Sequence, residues 1–264
     1  MQAANLPATA GWQWARDGLA LFSRQPLAMF TWAMAISLAL MLASLTPPLG
    51  PLLFVVLMPA VTFLTLSACR HVEAGHAMQQ PAAWFQPLRN KGVLRRLLWM
   101  GVLYAGLCLL AGVVVFVPFM RELAEAMQAS SVTSDLTPFL ETLRLPMAIF
   151  GVIYVVLAAL FWYAPALSGF QGVRIGQALF FSGVACWRNK TAFVVYGLVW
   201  FAVFLAIDFA SGLLVAMGMS AQLAGTLQIP VNVAAGSILY CSFYPSYVTV
   251  FGPGAAGFLP PPAR

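Results

Sequence analysis

Charge is the scarcest feature of this sequence. Only 8% of its 264 residues are charged, 13 basic and 7 acidic, whereas 62% are hydrophobic and the mean hydropathy is +0.89. A soluble domain has about 25% charged residues, and so few charges cannot cover the surface of a soluble globule of this size. The composition argues against a soluble enzyme, a disordered chain and a secreted disulfide scaffold. It predicts a multi-pass membrane protein.

Catalytic and metal-binding motifs are also scarce. The four cysteines form no C-x-x-C motif and are interpreted as small apolar fillers. The H-x-E-x-x-H motif at His71 spaces its histidines five apart, about 140° around a helix, so it does not match a zincin site. The G-x-G-x-x-G motif at Gly252 follows an apolar span and precedes prolines, unlike a dinucleotide fingerprint. We therefore expect no enzyme activity, no metal and no cofactor.

What the sequence has is long apolar runs. A helix needs about 20 apolar residues to cross the hydrocarbon core. These runs are apolar on every side, which favours helices over the alternating strands of a barrel. The predicted fold is therefore an all-α, polytopic transmembrane bundle of six helices. The six runs are 27–45, 49–69, 97–120, 146–168, 191–217 and 228–251.

The basic residues predict the membrane topology of the chain. Eleven of the thirteen lie in the segments on one side of the spans, and only Arg121 and Arg144 lie on the other. By the positive-inside rule both termini are expected to be cytoplasmic. Because the basic residues lie in short segments rather than on a water-exposed face, no nucleic-acid partner is expected. The first span is too far from the start and too long for a typical signal peptide, so an uncleaved anchor is expected.

Three regions follow from this threading: an N-terminal segment 1–26, the transmembrane domain 27–251 and a flexible cytoplasmic tail 252–264. Apolar residues at helical spacing predict interfacial helices at 11–24, with Trp12, Ala15, Leu19 and Phe22 on the membrane face, and at 173–187. A third surface helix is expected at 135–144, outside. Similar basic turns before each odd-numbered span suggest three hairpins in parallel orientation; recurring topogenic signals are the alternative.

Asp208 is the only acidic residue within a predicted span. Intramembrane acids are costly and mark functional sites by default. Counted at about 1.5 Å per residue from Lys190, it lies about 27 Å along the span. Asn232 should reach a similar depth on the sixth span, so an Asp208–Asn232 pair is predicted, with Ser211 or Gln228 as alternative partners. A simple interhelical hydrogen bond is favoured over proton or substrate coupling.

Two further groups of residues are candidates. Each even-numbered span has a proline followed by a small residue, which suggests helix kinks that could line a cavity, although proline is common in transmembrane helices. Basic residues beside the spans could contact anionic lipid, at about 1 kcal/mol each, or could serve threading alone. The candidate kinks are Pro59, Pro165 and Pro245. The candidate lipid contacts are Arg89, Lys91, Arg95, Arg96, Arg188 and Lys190.

Two families share short motifs with this chain. It resembles an uncharacterised family of proteobacterial inner-membrane proteins through Gly11-Trp12-Gln13-Trp14, Gly18-Leu19-Ala20-Leu21-Phe22, Arg24-Gln25-Pro26 and Pro47-Pro48-Leu49-Gly50-Pro51. It is more distantly similar to the six-helix membrane domain of some bacterial glycerophosphodiester phosphodiesterases, through Tyr163-Ala164-Pro165, Gly176-Gln177-Ala178-Leu179, Ser182 and Arg188-Asn189. The resemblance implies a bacterial inner membrane and a six-helix bundle. It transfers no active site, because nothing here corresponds to the phosphodiesterase barrel.

The function expected from these features is a non-catalytic interaction, scaffold or lipid-contacting protein. The alternative is a small-molecule or lipid transporter that uses Asp208 and the proline-kinked helices. The lipid bilayer is the expected partner, with anionic lipids and homo- or hetero-oligomers left open.

The threading can be tested with topology reporters. A reporter fused after Ser130 should be active on the outer side of the membrane, and one fused to the C-terminus should be cytoplasmic, because the basic segments stay inside. A cytoplasmic Ser130 would contradict the predicted orientation.

Overall fold

A computed structural model describes residues 3–78, 84–90, 92–133 and 135–252, with the backbone alone at 132 and 133. Within these residues the chain forms ten α-helices whose bounds are described, a further α-helical stretch at Trp84 and Phe85, two short 3-10 helices, Gln86–Arg89 and Val117–Phe119, and no strand. The α-helices are α1 (Ala10–Arg24), α2 (Pro26–Ser44), α3 (Leu49–Glu73), α4 (Val93–Phe116), α5 (Met120–Thr133), α6 (Thr137–Phe161), α7 (Ala164–Gln171), α8 (Ile175–Arg188), α9 (Lys190–Ala216) and α10 (Ala221–Phe251).

The predicted all-α bundle of six spans is confirmed. In the described part of the chain, α2, α3, α4, α6, α9 and α10 contain the six stretches long and apolar enough to cross a membrane. Successive spans pack as three hairpins, α2 with α3, α4 with α6, and α9 with α10. Contacts of α3 with α4, and of α10 with both α2 and α3, join these hairpins into one bundle.

The predicted surface helix at 135–144 is wrong as a separate element. The segment is the first part of α6, which continues through Pro146 into the fourth span. Asp135 caps it, because its Oδ1 accepts from the backbone N and Oγ1 of Thr137 at 2.9 and 2.6 Å. These donors hold the pKa of Asp135 below its ordinary value.

The hairpin of α4 and α6 extends beyond the membrane. Helix α4 continues into α5, and the combined stretch has 39 residues, about 58 Å, whereas the hydrocarbon core is about 30 Å thick.

A helix is present at 11–24 as α1, with a packed face that the sequence did not indicate. On the predicted membrane face Trp12 and Leu19 are exposed, whereas Ala15 is buried and Phe22 packs against the core. On the opposite face α1 lies against α9 and α10. Gly11 meets α9, and Gly18 meets Ser242 of α10 so closely that a Cβ would collide with the neighbouring backbone. Small residues at helical spacing therefore allow α1 to pack directly on the last two spans.

A buried asparagine fixes the N-terminal segment to the bundle. The Oδ1 of Asn189, between α8 and α9, accepts from the backbone N of Leu6 at 2.8 Å. Its Nδ2 donates to the carbonyls of Ala4 and Ala185, each at 2.9 Å. Asn189 is fully buried, so its amide replaces water for backbone groups that would otherwise be unpaired. We call the end of the bundle where Asn189 lies, and where α2, α4 and α9 begin, the basic end.

The fourth span breaks near the basic end. Helix α6 ends at Phe161 and α7 begins at Ala164, which would leave backbone groups unpaired in a buried place. Ser182 of α8 pairs them: its hydroxyl accepts from the backbone N of Tyr163 at 2.9 Å and donates to the carbonyl of Ala159 at 2.8 Å. One buried hydroxyl thus satisfies both sides of the break.

The break also corrects the prediction for Pro165 as a mid-helix kink. Pro165 occupies the first turn of α7, where proline is tolerated because that backbone nitrogen has no helical partner. Pro59 and Pro245 do lie inside helices, α3 and α10.

Replacing Ser182 tests the bridge across this break. Ser182→Ala removes the oxygen that accepts the hydrogen bond from the backbone N–H of Tyr163. The loss should lower the free energy of unfolding by about 1–3 kcal/mol. Thermal unfolding in detergent micelles measures the loss. Ser37→Ala is the control, since that exposed hydroxyl bonds only to its own helix; an equal effect in both variants would contradict the bridging role.

Candidate functional site

Asp208 is paired, but with a different residue from the one expected. In the described residues its Oδ1 accepts a hydrogen bond from Nε2 of Gln228, and the predicted Asn232 is not its partner. Gln228 and Asn232 lie one helical turn apart on the same face of α10, so the predicted face is right and the turn is wrong. Asp208 is exposed on the bundle surface. The geometry is that of an interhelical hydrogen bond, which is the favoured interpretation, and Gln228 is one of the two alternative partners that the sequence left open.

Two of the candidate prolines line one cavity. A space of about 160 Å³ lies between α3, α4, α6 and α10, with Pro59 and Pro165 in its wall beside Tyr104 and Tyr154. The hydroxyl of Tyr104 donates to that of Tyr154 at 3.4 Å. Among the described residues, neither Asp208 nor Pro245 lines this cavity. The structure therefore does not join the prolines and Asp208 into one pathway.

The candidate lipid contacts fall into three places. Arg89 and Arg95 are exposed around a shallow hollow whose apolar floor includes Trp99. Arg96 points inward, where its Nη2 donates to the carbonyl of Ser168 at 3.4 Å. Lys91 lies outside the described residues.

Lys190 stands at a much larger cleft. This cleft, of about 890 Å³, is bounded by α6, α8 and α9 and lined almost entirely by apolar side chains. Its walls include the exposed residues Val155, Val156, Phe180 and Val194. We call it the α6–α9 cleft. Its size lies in the range of small-molecule sites, about 300–1,000 Å³.

The charged side chain that lines the α6–α9 cleft, Lys190, lies at its basic end. The Nζ of Lys190 is 4.9 Å from the ring centre of Trp187, a cation–π contact. Arg188 is exposed two residues before Lys190. Burial raises the pKa of the Cys186 thiol to about 12, so this thiol stays protonated and is unreactive. A positive mouth on an apolar cleft matches the shape of an anionic amphiphile.

A polar cluster lies at the basic end, where the sequence indicated only basic residues beside the spans. The guanidinium of Arg70 of α3 lies over the ring of Phe170 at 5.6 Å. Next to it, the hydroxyl of Tyr244 donates to Glu73 at 2.7 Å, and Gln171 Nε2 donates to the hydroxyl of Tyr247 at 2.9 Å. These residues come from α3, α7 and α10, so no pattern within one segment of sequence indicates that they meet.

A known protein matches nearly the whole chain. It is described as a "probable inner membrane protein" of Burkholderia thailandensis, and it is 36% identical over 270 residues, which cover 97% of each chain. The chain belongs to this family of inner-membrane proteins. No family model and no solved structure matches it. Membership confirms a multi-pass inner-membrane protein, in contact with the lipid bilayer.

The pairing of Asp208 can be measured with a double-mutant cycle. Gln228→Leu should lower the free energy of unfolding by about 0.6–1.7 kcal/mol, the range found for hydrogen bonds between membrane helices. In an Asp208→Leu background the same change should have almost no effect, because the partner is already gone. Asn232→Leu serves as the matched control on the next turn. Equal losses for Gln228→Leu in both backgrounds would contradict the pairing.

Proposed function

We propose that this inner-membrane protein is non-catalytic, has both termini in the cytoplasm, and binds an anionic phospholipid of the cytoplasmic leaflet. The observation that carries the proposal is the α6–α9 cleft, apolar along its walls and basic at one end. Acyl chains would occupy the apolar part. The headgroup phosphate would meet Lys190 where the protein reaches the membrane surface.

Charge complementarity supports an anionic headgroup. In the part of the chain that the structure describes, the ion pairs are Arg16–Asp17 and Arg121–Glu125, and neither involves Lys190 or Arg188. These two cations are therefore available to a lipid phosphate, at about 1 kcal/mol each near an anionic leaflet. Trp187, exposed beside them, has the amphipathic ring that favours the interface.

The hollow with Arg89 and Arg95 is a second candidate contact for anionic lipid. Two exposed arginines stand above Trp99, Leu98 and an apolar helix surface. We interpret it as a weaker contact for the lipids around the bundle, because it is open and shallow while the α6–α9 cleft has three walls.

A transporter has less support. The cavity with Pro59 and Pro165 is small, about 160 Å³, and Asp208 lies elsewhere on the bundle surface. Transport sites lie near the bilayer midplane, between helices, whereas Asp208 lies about 27 Å from the basic end of α9 by helical rise. The likeness to the phosphodiesterase membrane domain remains a prediction. In this proposal the two proteins share a six-helix membrane domain, and this chain has no counterpart of the catalytic domain.

Filling the α6–α9 cleft tests the proposal. Val194→Trp should reduce the anionic phospholipid that co-purifies with the full chain, because the indole occupies the space of the acyl chains. Leu198→Trp is the matched control: it is equally exposed on the next turn of α9 and does not line the cleft. Native mass spectrometry in mild detergent counts the retained lipids and also reports homo- or hetero-oligomers.

Removing the charge at the mouth gives an independent measurement. Lys190→Gln should lower anionic-lipid occupancy about fivefold, equivalent to about 1 kcal/mol, and leave zwitterionic lipid unchanged. Arg144→Gln on the opposite side should change neither. Wild-type occupancy in both Val194→Trp and Lys190→Gln would overturn the proposed function.

A further inference from the structure

A small polar pocket lies at the basic end, apart from the α6–α9 cleft. Its volume is about 170 Å³, and it lies between the end of α3, the 3-10 helix Gln86–Arg89 and α7. Phe63 and Phe170 form its apolar side. Its polar lining consists of Ser67, Arg70, His71, Gln86 and Asn90. It shares no lining residue with the α6–α9 cleft.

Ser67 is the unusual member of this lining. It is only 4% exposed, and its hydroxyl has no hydrogen-bond partner among the described residues. Other hydroxyls on these spans, such as Ser37 and Thr65, donate to the carbonyl four residues earlier. A buried hydroxyl without a partner costs about 1–3 kcal/mol, so Ser67 is explained best by a ligand that accepts a hydrogen bond from its hydroxyl.

The pocket carries the positive charge of Arg70. Arg70 makes no ion pair with any residue that the structure describes. The nearby carboxylate of Glu73 accepts from Tyr244 instead, and no described acidic side chain lines the pocket. Asn90 and Gln86 add amide donors at the rim. His71 is held in place by its Nδ1, which contacts the backbone carbonyl of Ser67 at 2.8 Å.

We propose that this pocket binds a phosphate group. A guanidinium, a buried hydroxyl and amide N–H groups are the donors that bind phosphate oxygens. Liquid water takes about 30 Å³ per molecule, so the pocket has room for about five or six such units, enough for the five heavy atoms of phosphate. The phosphate could be free in solution or could belong to a lipid headgroup, since the pocket lies at the end of a span.

Ligand-induced stabilisation of the purified full chain tests the pocket. Inorganic phosphate and dioctanoyl phosphatidic acid are titrated separately in mild detergent, and the melting temperature is followed. Arg70→Gln should weaken binding about tenfold or more, and Ser67→Ala about threefold to tenfold, from the loss of a charged and a neutral hydrogen bond. Arg144→Gln, an exposed arginine at the opposite end of the bundle, should bind within about twofold of wild type.

Ser67→Ala separates ligand binding from a structural role. Without ligand its melting temperature should equal or exceed that of the wild type, because the lost hydroxyl had no partner. Stabilisation by inorganic phosphate identifies a free phosphate site, and stabilisation by phosphatidic acid alone identifies a headgroup site when both pocket variants weaken it. Wild-type binding in both pocket variants overturns the proposal and leaves the α6–α9 cleft as the site of the lipid. No stabilisation by either probe overturns the proposal and also counts against the proposed function.

Discussion

A backbone amide in the hydrocarbon core must find its hydrogen-bond partner inside the protein. The organisation of this bundle depends on how that requirement is met at the break in the fourth span. The fourth span stops at Phe161 and resumes at Ala164, and Ser182 bonds both edges of the gap. Because the backbone groups at the break are hydrogen-bonded, α7 can pack against α3 and α4 while α8 packs along α6. The α6–α9 cleft and the phosphate pocket both depend on this detour: α8 is a wall of the first, and α7 is a wall of the second.

The packed core is concentrated near the basic end. Trp14, Tyr163, Tyr196, Trp200 and Tyr247 are buried there, joined by edge-on and tilted ring contacts. Toward the other end the spans expose their apolar side chains, and in α9 only Ala192, Tyr196 and Trp200 are buried, all in its first half. Lipid tails are as apolar as these side chains, so exposure there has little cost. The tightest side-chain packing therefore lies at the basic end, together with the buried polar groups.

Hydropathy was sufficient to predict the six spans, because the length of an apolar run is set by the thickness of the membrane. It could not reveal the break near Tyr163, since the residues there are as apolar as those of an unbroken helix and the decisive hydroxyl is 19 residues away. The partner of Asp208 shows a similar limit. Helical periodicity identified the correct face of α10, but the choice between Gln228 and Asn232 depends on how two helices slide against each other. Arg70, Ser67 and Asn90 come together only through tertiary packing, so the phosphate pocket had no sequence signal.

The contacts of α1 impose an order on assembly. Its neighbours are α9 and α10, and the amide of Ala4 bonds to the carbonyl of Val250, so the first helix to be made packs on the last. At about 5–20 residues per second, roughly 10–45 seconds of synthesis separate α1 from the end of α10. During that interval the small-residue face of α1, including Gly11 and Gly18, is uncovered. Until the last two spans are made, the face of α1 that packs on them can contact other partners.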